Sequence, residues 1–257
     1  MDAAHLLKVA EEAALAAGKR LAEGAEEFRK ITFEDRNDVK LRADTESEAL
    51  IRRMLAEGAP GLPIIGEEEG GDASLTEQDQ LFWVVDPLDG TFNYLRGLPQ
   101  CAVSIGLLRG TEPVLGVVYN FNFDQLYSGG PEVGFFLNGE ANHYGWADER
   151  QRAVLATGIP QGMDRSDESM IGFVREMAPY KKVRMVGSAA LALAFVASGQ
   201  MDVYHEKAIR LWDVAAGLAL VRGAGGTVRL APSATGKFLA FDVWAGGKAE
   251  FFPEAVR

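Results

Sequence analysis

A lone cysteine, Cys101, in 257 residues excludes an intramolecular disulfide and a thiolate metal framework, and points to a reducing interior. Its neighbours Ala102 and Val103 mark it as a buried packing residue rather than a nucleophile. Positive charge is also scarce. With 26 Lys and Arg against 37 Asp and Glu the formal net charge is -11, which disfavours duplex nucleic acid and anionic membranes as partners, since both attract a basic face. No apolar run approaches the roughly 18 residues of a membrane span, and Asp2, Glu11 and Glu12 stand where a secretory leader has basic residues and an apolar stretch. Internal repeats and low-complexity tracts are likewise missing. These absences predict a soluble, cytoplasmic protein. What remains is an ordinary globular composition, 47% hydrophobic, with length for one large domain or two small ones.

Apolar positions Leu6, Val9, Ala10, Ala13, Ala14, Ala17, Leu21 and Ala25 recur at three-and-four spacing, predicting an amphipathic helix over 3–28. The charged segment from Lys30 to Ala43 keeps no period and reads as a loop or an exposed hairpin. Asp44 then looks like the N-cap of a second helix, with Ala49, Leu50, Ile51, Met54 and Leu55 on its apolar face. Between Ala102 and Leu137 four strand candidates are separated by turn signals such as Arg109-Gly110 and Gly129-Gly130-Pro131, and connections this short imply antiparallel order. From about Ala141 strands and helices alternate. Strands are expected at 154–156, 182–186, 201–205, 227–230 and 238–243, and helices at 167–177, 189–198 and 212–221. Helix 189–198 is apolar nearly all round and is expected between layers. The pattern is α+β.

The stretch Trp83-Val84-Val85-Asp86-Pro87-Leu88-Asp89-Gly90-Thr91 ends a β-branched run on one carboxylate and adds a second three residues on. Two readings stay open from it alone: a divalent cation site, or a β-turn in which Pro87 fixes φ and Gly90 tolerates a positive one. Other acids stand at comparable junctions. Leu62-Pro63-Ile64-Ile65 delivers Glu67 and Glu68 to the end of another strand, and Asp44 and Asp213 open helices, whereas Glu69 reads as solvated. Converging carboxylates without Lys, His or Cys select hard cations, Mg²⁺ above all. Such a set suits two-metal phosphoester hydrolysis, with the Gly90 and Thr91 amides turned toward a phosphate and the Thr91 hydroxyl orienting a water. His5, His143 and His205 have no part in this chemistry and read as structural or surface residues.

These motifs resemble the inositol monophosphatases, within the lithium-sensitive, Mg²⁺-dependent phosphatase superfamily. Asp86-Pro87-Leu88-Asp89-Gly90-Thr91 is similar to the first signature of that family, and Trp212-Asp213-Val214-Ala215-Ala216-Gly217 followed by Gly223-Ala224-Gly225-Gly226 is similar to the second. Gly66-Glu67-Glu68 precedes the first at nearly the expected distance, Gly187-Ser188-Ala189-Ala190 matches a further segment, and the likeness covers almost the whole chain. It implies a layered αβαβα sandwich of the sugar-phosphatase type. The N-terminal half, residues 1–136, would hold most metal ligands, and residues 137–257 would supply Asp213 and the substrate pocket. Glu67, Asp86 and the Leu88 carbonyl would bind one Mg²⁺, Asp86, Asp89 and Asp213 a second, with a third, weaker ion near Glu67. Thr91, Asp44 and Glu67 form the implied catalytic group. The implied substrate contacts are Gly90, Thr91, Gly187, Ser188, Ala189 and Glu206. Arg210 stands near the substrate side, where two readings stay open: a contact to a second anionic group on a larger substrate, or a surface or interdomain salt bridge. The implied activity is hydrolysis of a small-molecule phosphate ester, myo-inositol monophosphate, by a cytoplasmic homodimer.

Asp38-Val39-Lys40-Leu41 departs from the Asp-x-x-Thr of many relatives, in the loop that closes over the third ion. A haloacid-dehalogenase-type phosphatase is the nearest rival, but its two acids stand two apart, whereas Asp86 and Asp89 stand three apart. Fructose-1,6-bisphosphatase, 3′(2′),5′-bisphosphate nucleotidase and histidinol-phosphatase share the metal motifs. A non-catalytic regulatory protein on the same scaffold is the alternative of another class, and the full set of acids together with Thr91 speaks for catalysis.

Overall fold

The computed structural model describes residues 2–24, 31–34, 39–142, 144–160 and 163–252. Helix α1 (Ala3–Glu23) follows the apolar spacing: Leu6, Val9, Ala10, Ala13, Ala14, Ala17 and Leu21 are buried, and Asp2 caps it by accepting from the His5 amide at 2.7 Å. Residues 25–28, the rest of the expected helix, lie outside the described residues, as do Asp38 and His143. The charged segment pairs as a short antiparallel hairpin, β1 (Ile31–Glu34) with β2 (Val39–Leu41). Helix α2 (Arg42–Gly58) starts two residues before the expected cap. Asp44 therefore sits inside the first turn, where its Oδ2 accepts from the Leu41 amide at 2.5 Å and satisfies one of the amides that a helix start leaves unpaired.

Seven strands form the larger sheet: β3 (Ile64–Gly66), β4 (Leu81–Asp89), β5 (Ala102–Arg109), β6 (Glu112–Asn120), β7 (Gln125–Gly130), β8 (Gly134–Leu137) and β9 (Glu140–Ala141). Their spatial order is their chain order, with β3 parallel to β4 and every other pair antiparallel, as the short connections require. Alternation along the strands splits the side chains between two cores. Trp83, Val85, Val103, Ile105 and Val117 pack with α1 and α2, while Val84, Ala102 and Val118 face the opposite way.

The second sheet has the order β11-β10-β12-β14-β13, formed by β10 (Val154–Thr157), β11 (Lys182–Arg184), β12 (Val203–Arg210), β13 (Thr227–Pro232) and β14 (Ala240–Gly246). Between the sheets lie α5 (Ala189–Ala197) and α6 (Leu211–Gly223), both buried nearly all round; α3 (Thr91–Arg96) follows β4, and α4 (Asp167–Met177) lies outside. On the outer face of the second sheet Met177 of α4 packs against the buried cluster that includes Leu155, Val203 and Trp244, completing an αβαβα sandwich. Bare backbone seats α6 on the larger sheet. A Cβ on Gly116 would stand 2.1 Å from the Ala216 carbonyl oxygen, and one on Gly106 2.8 Å from the Ala215 Cβ. That close approach places the start of α6, with Asp213, beside the end of β4.

Candidate active site

On a regular strand, residues three apart face opposite sides of the sheet. Asp86 and Asp89 escape this because the ladder slips between them: Asp86 pairs with Ser104 and Asp89 with Ala102, three steps on β4 against two on β5. The extra residue is a bulge, and it turns both carboxylates the same way. Asp213, in the first turn of α6, completes the group, and oxygens of the three carboxylates lie within 4.8 Å of one another. Asp213 repeats the local geometry of Asp44, with its Oδ2 accepting from the Arg210 amide at 3.2 Å. It is thus inside the helix rather than its N-cap.

Electrostatics single the group out. Burial, then the charges of Glu67, Asp89 and Asp213, hold Asp86 well above the usual carboxylate range, and burial with Asp89 and Glu206 does the same to Asp213. Glu67, at the end of β3, is raised by burial, Asp213, Asp44 and Glu68. Asp44 is pushed up to about 7, chiefly by burial. Asp89 rises to about 6 for the same reason, against the hydrogen bonds that it accepts from the Ser188 hydroxyl and, at 2.7 Å, the Ala190 amide at the start of α5. All-oxygen donors that repel one another at this range fit a hard divalent cation, which relieves the repulsion.

Thr91 opens α3 directly after Gly90, whose φ of 88° and closeness to the Gln100 carbonyl, 2.8 Å from where a Cβ would lie, demand glycine. The Thr91 hydroxyl is 3.2 Å from Asp44 Oδ1 and 3.0 Å from the Leu88 carbonyl oxygen, and Asp86 Oδ1 accepts from the Leu88 amide at 2.9 Å. Beside Asp89 and Asp213 opens a cavity of about 300 Å³, walled by Gly187, Ser188 and Ala189 on one side and Glu206 on the other. Glu206 is itself pushed up to about 7 by burial. Arg210 does not line this cavity: its guanidinium donates to the Phe238 carbonyl and lies 5.8 Å from the centre of the Trp212 ring. His205 is buried in a stack on Trp244, ring centres 3.5 Å apart, and His5 reaches the Gly58 carbonyl at 2.8 Å.

Four positions contribute that the motifs do not reveal. Glu48, fully buried on α2, accepts from the Glu68 and Glu69 amides at 2.7 and 3.1 Å and is met by Arg52 at 2.7 Å, so the turn that bears Glu67 is tied to α2. Its i,i+4 spacing to Arg52 is the one available signal, and many surface pairs share it. Tyr204 and Gly158 line the cavity next to Glu206, and only the neighbourhood of a strand end hints at Gly158. Asn93 joins two segments that are distant in sequence, donating to the Gln100 carbonyl at 2.7 Å and to that of Val186 at 3.0 Å.

A family profile described as the inositol monophosphatase family matches residues 2–249. The chain is 37% identical to an inositol-1-monophosphatase of Mesorhizobium japonicum over 231 residues, 89% of this chain and 86% of that one. It is 34% identical over 246 residues to a fructose-1,6-bisphosphatase/inositol-1-monophosphatase of Aquifex aeolicus, covering 95% and 91% of the two chains. Among solved structures, the inositol monophosphatase of Anabaena superposes with a TM-score of 0.79 at 34% identity, over 95% of this chain and 91% of that one.

Proposed function

The chain belongs to the inositol monophosphatase family, and from that premise we propose how its residues divide the work of a phosphatase acting on inositol phosphate esters. The observation that carries the assignment is the convergence of Asp86, Asp89 and Asp213 within 4.8 Å beside a cavity that also contains Glu206. Glu67, Asp86 and the Leu88 carbonyl would hold one Mg²⁺ and Asp86, Asp89 and Asp213 another, with a weaker third near Glu67. When bound, the cations activate the attacking water and stabilise the leaving oxygen.

The other roles belong to the chain itself. Thr91 has one hydroxyl proton; giving it to Asp44 leaves its oxygen lone pairs for a proton of the attacking water. Burial pushes Asp44 up to about 7, and it is the ionised carboxylate that accepts this hydrogen bond. The Gly90 and Thr91 amides cradle the phosphate, Gly187, Ser188 and Ala189 form a wall for the leaving group, and Glu206 accepts from its hydroxyls. Arg210, turned to the Phe238 carbonyl, is left out of this assignment. Residues 1–136 then bring most of the metal ligands, and residues 137–257 bring Asp213 and the pocket.

Phosphate release measured over inositol monophosphates, fructose-1,6-bisphosphate, 3′-phosphoadenosine 5′-phosphate and histidinol phosphate tests the substrate class. Inositol monophosphates are expected to turn over best, with Mg²⁺ required and Li⁺ inhibitory. Asp89→Asn should cut Mg²⁺-dependent turnover by at least about a hundredfold while circular dichroism stays that of the parent. Undiminished turnover defeats the metal assignment.

A homodimer is supported by the apolar surface of Leu98, Ile159 and Met185, each about half exposed around a cavity of about 690 Å³. Light scattering at twice the chain mass is the expected result. No described helix is long and apolar enough to cross a membrane; the cytoplasm is proposed from the cysteine usage, and cell fractionation checks it.

A further inference from the structure

We propose that Tyr204 and Gly158 are positioning residues that hold the Glu206 carboxylate in place as an acceptor, and that this hold sets the preference for phosphate esters whose leaving group bears hydroxyls. The inference rests on the assignment of Glu206 to substrate hydroxyls and goes one step behind it, to what fixes Glu206.

Tyr204 and Glu206 stand two apart on β12, so both side chains face the cavity rather than the outer core. The Tyr204 ring is 1% exposed and packed in the core shared with α5 and α6, which leaves its hydroxyl no freedom to swing away. That hydroxyl donates to Glu206 Oε2 at 3.0 Å. From another side the main chain at Gly158 closes on the same carboxylate: a Cβ there would stand 2.6 Å from Oε2 and 2.7 Å from Oε1. The volume of a methyl group at position 158 is thus already filled by Glu206. All three residues line the cavity that contains Asp89 and Asp213.

A glutamate has three side-chain torsions to freeze, and a carboxylate held before the ligand arrives binds more tightly than one that must be ordered. Burial drives Glu206 up to about 7, and the hydrogen bond from Tyr204 pulls the other way by favouring the ionised form. An ionised carboxylate only accepts hydrogen bonds, so its natural partner is a donor such as a polyol hydroxyl. The Tyr204 hydroxyl is itself raised well above its ordinary value by burial and by Glu206, which keeps it protonated and donating.

The test uses the full chain with Mg²⁺ and two substrates, inositol 1-phosphate and p-nitrophenyl phosphate, whose leaving group has no further hydroxyl. Tyr204→Phe removes only the donor. Gly158→Ala keeps an ordinary backbone and meets only the far end of a flexible side chain, so it displaces the carboxylate. In both variants the ratio of kcat/KM for inositol 1-phosphate over that for p-nitrophenyl phosphate should fall about tenfold, through KM rather than kcat. Combined with Glu206→Gln, neither should lower the ratio much beyond Glu206→Gln alone. If Glu206→Gln lowers the ratio and the two variants keep it, the positioning role is overturned while the Glu206 assignment stands. A ratio untouched by Glu206→Gln removes that assignment and this inference with it. Equal losses on both substrates with a lowered melting temperature assign Tyr204 and Gly158 to stability alone and overturn the proposal.

Discussion

Thr91 has one proton for two acceptors, the Asp44 carboxylate at 3.2 Å and the Leu88 carbonyl at 3.0 Å. Which acceptor wins depends on the charge of Asp44, and that dependence makes the pair suited to passing on a proton. Replacing Thr91 by Val keeps the shape and removes the hydroxyl. We expect kcat to fall by about a hundredfold or more with KM little changed, and stability to change by about 1 kcal/mol. Stopped phosphate-release assays and thermal melts give both numbers; a retained kcat would remove Thr91 from the mechanism. At this scale sequence spacing named the acids and Thr91, since each ends a strand or begins a helix. It placed Asp44 as an N-cap and Asp213 at the start of a helix, and both lie inside the first turn and reach back to an amide. The two positions serve a helix start equally well, and only the neighbouring backbone decides between them.

Helix α2 does more than cover the larger sheet. Its Glu48 and Arg52 grip the turn after β3, with Arg52 also donating to the Gly70 carbonyl at 2.9 Å, and Gly66 has no Cβ because Glu48 Oε1 would be 2.1 Å from it. Glu48→Ala leaves Arg52 half-buried with less compensation and frees the Glu68 and Glu69 amides. The expected cost is about 3 kcal/mol in urea denaturation, with Mg²⁺ affinity by calorimetry weakened about 10- to 100-fold. Unchanged Mg²⁺ affinity would confine Glu48 to stability. Hydrophobic periodicity predicted nearly all these elements, and α4 has the expected limits. Strand β12 runs on to Arg210, well past the expected His205, because its continuation is held by pairing to β14 and not by an apolar pattern of its own.

Across the whole molecule the acids make folding depend on pH and cations. Asp44 is raised from its ordinary 3.8 to about 7, Asp89 to about 6 and Glu206 from 4.5 to about 7. Folded, these groups keep protons that the unfolded chain has released, so their contribution is fully present below about pH 4 and is lost as pH rises through the folded values. In chelator the melting temperature should therefore fall between about pH 5 and pH 8. Saturating Mg²⁺ should restore it most at the alkaline end, because a cation binds the ionised acids. A chelated protein whose melting temperature rises over this range contradicts the reading.

Apolar periods, turn residues and acids at element ends were enough to predict the α+β class, most elements and the chemistry of a hard cation, because these are local properties of a chain. Whether Asp86-Pro87-Leu88-Asp89 was a turn or a metal site was not local. A one-residue bulge against β5 turned Asp86 and Asp89 to the same side, and the glycine-lined seat of α6 brought Asp213 to them across more than a hundred residues. The hold of Tyr204 and Gly158 on Glu206, and of Glu48 on the Glu67 turn, likewise exists only where separate segments touch, and no spacing within one segment encodes it.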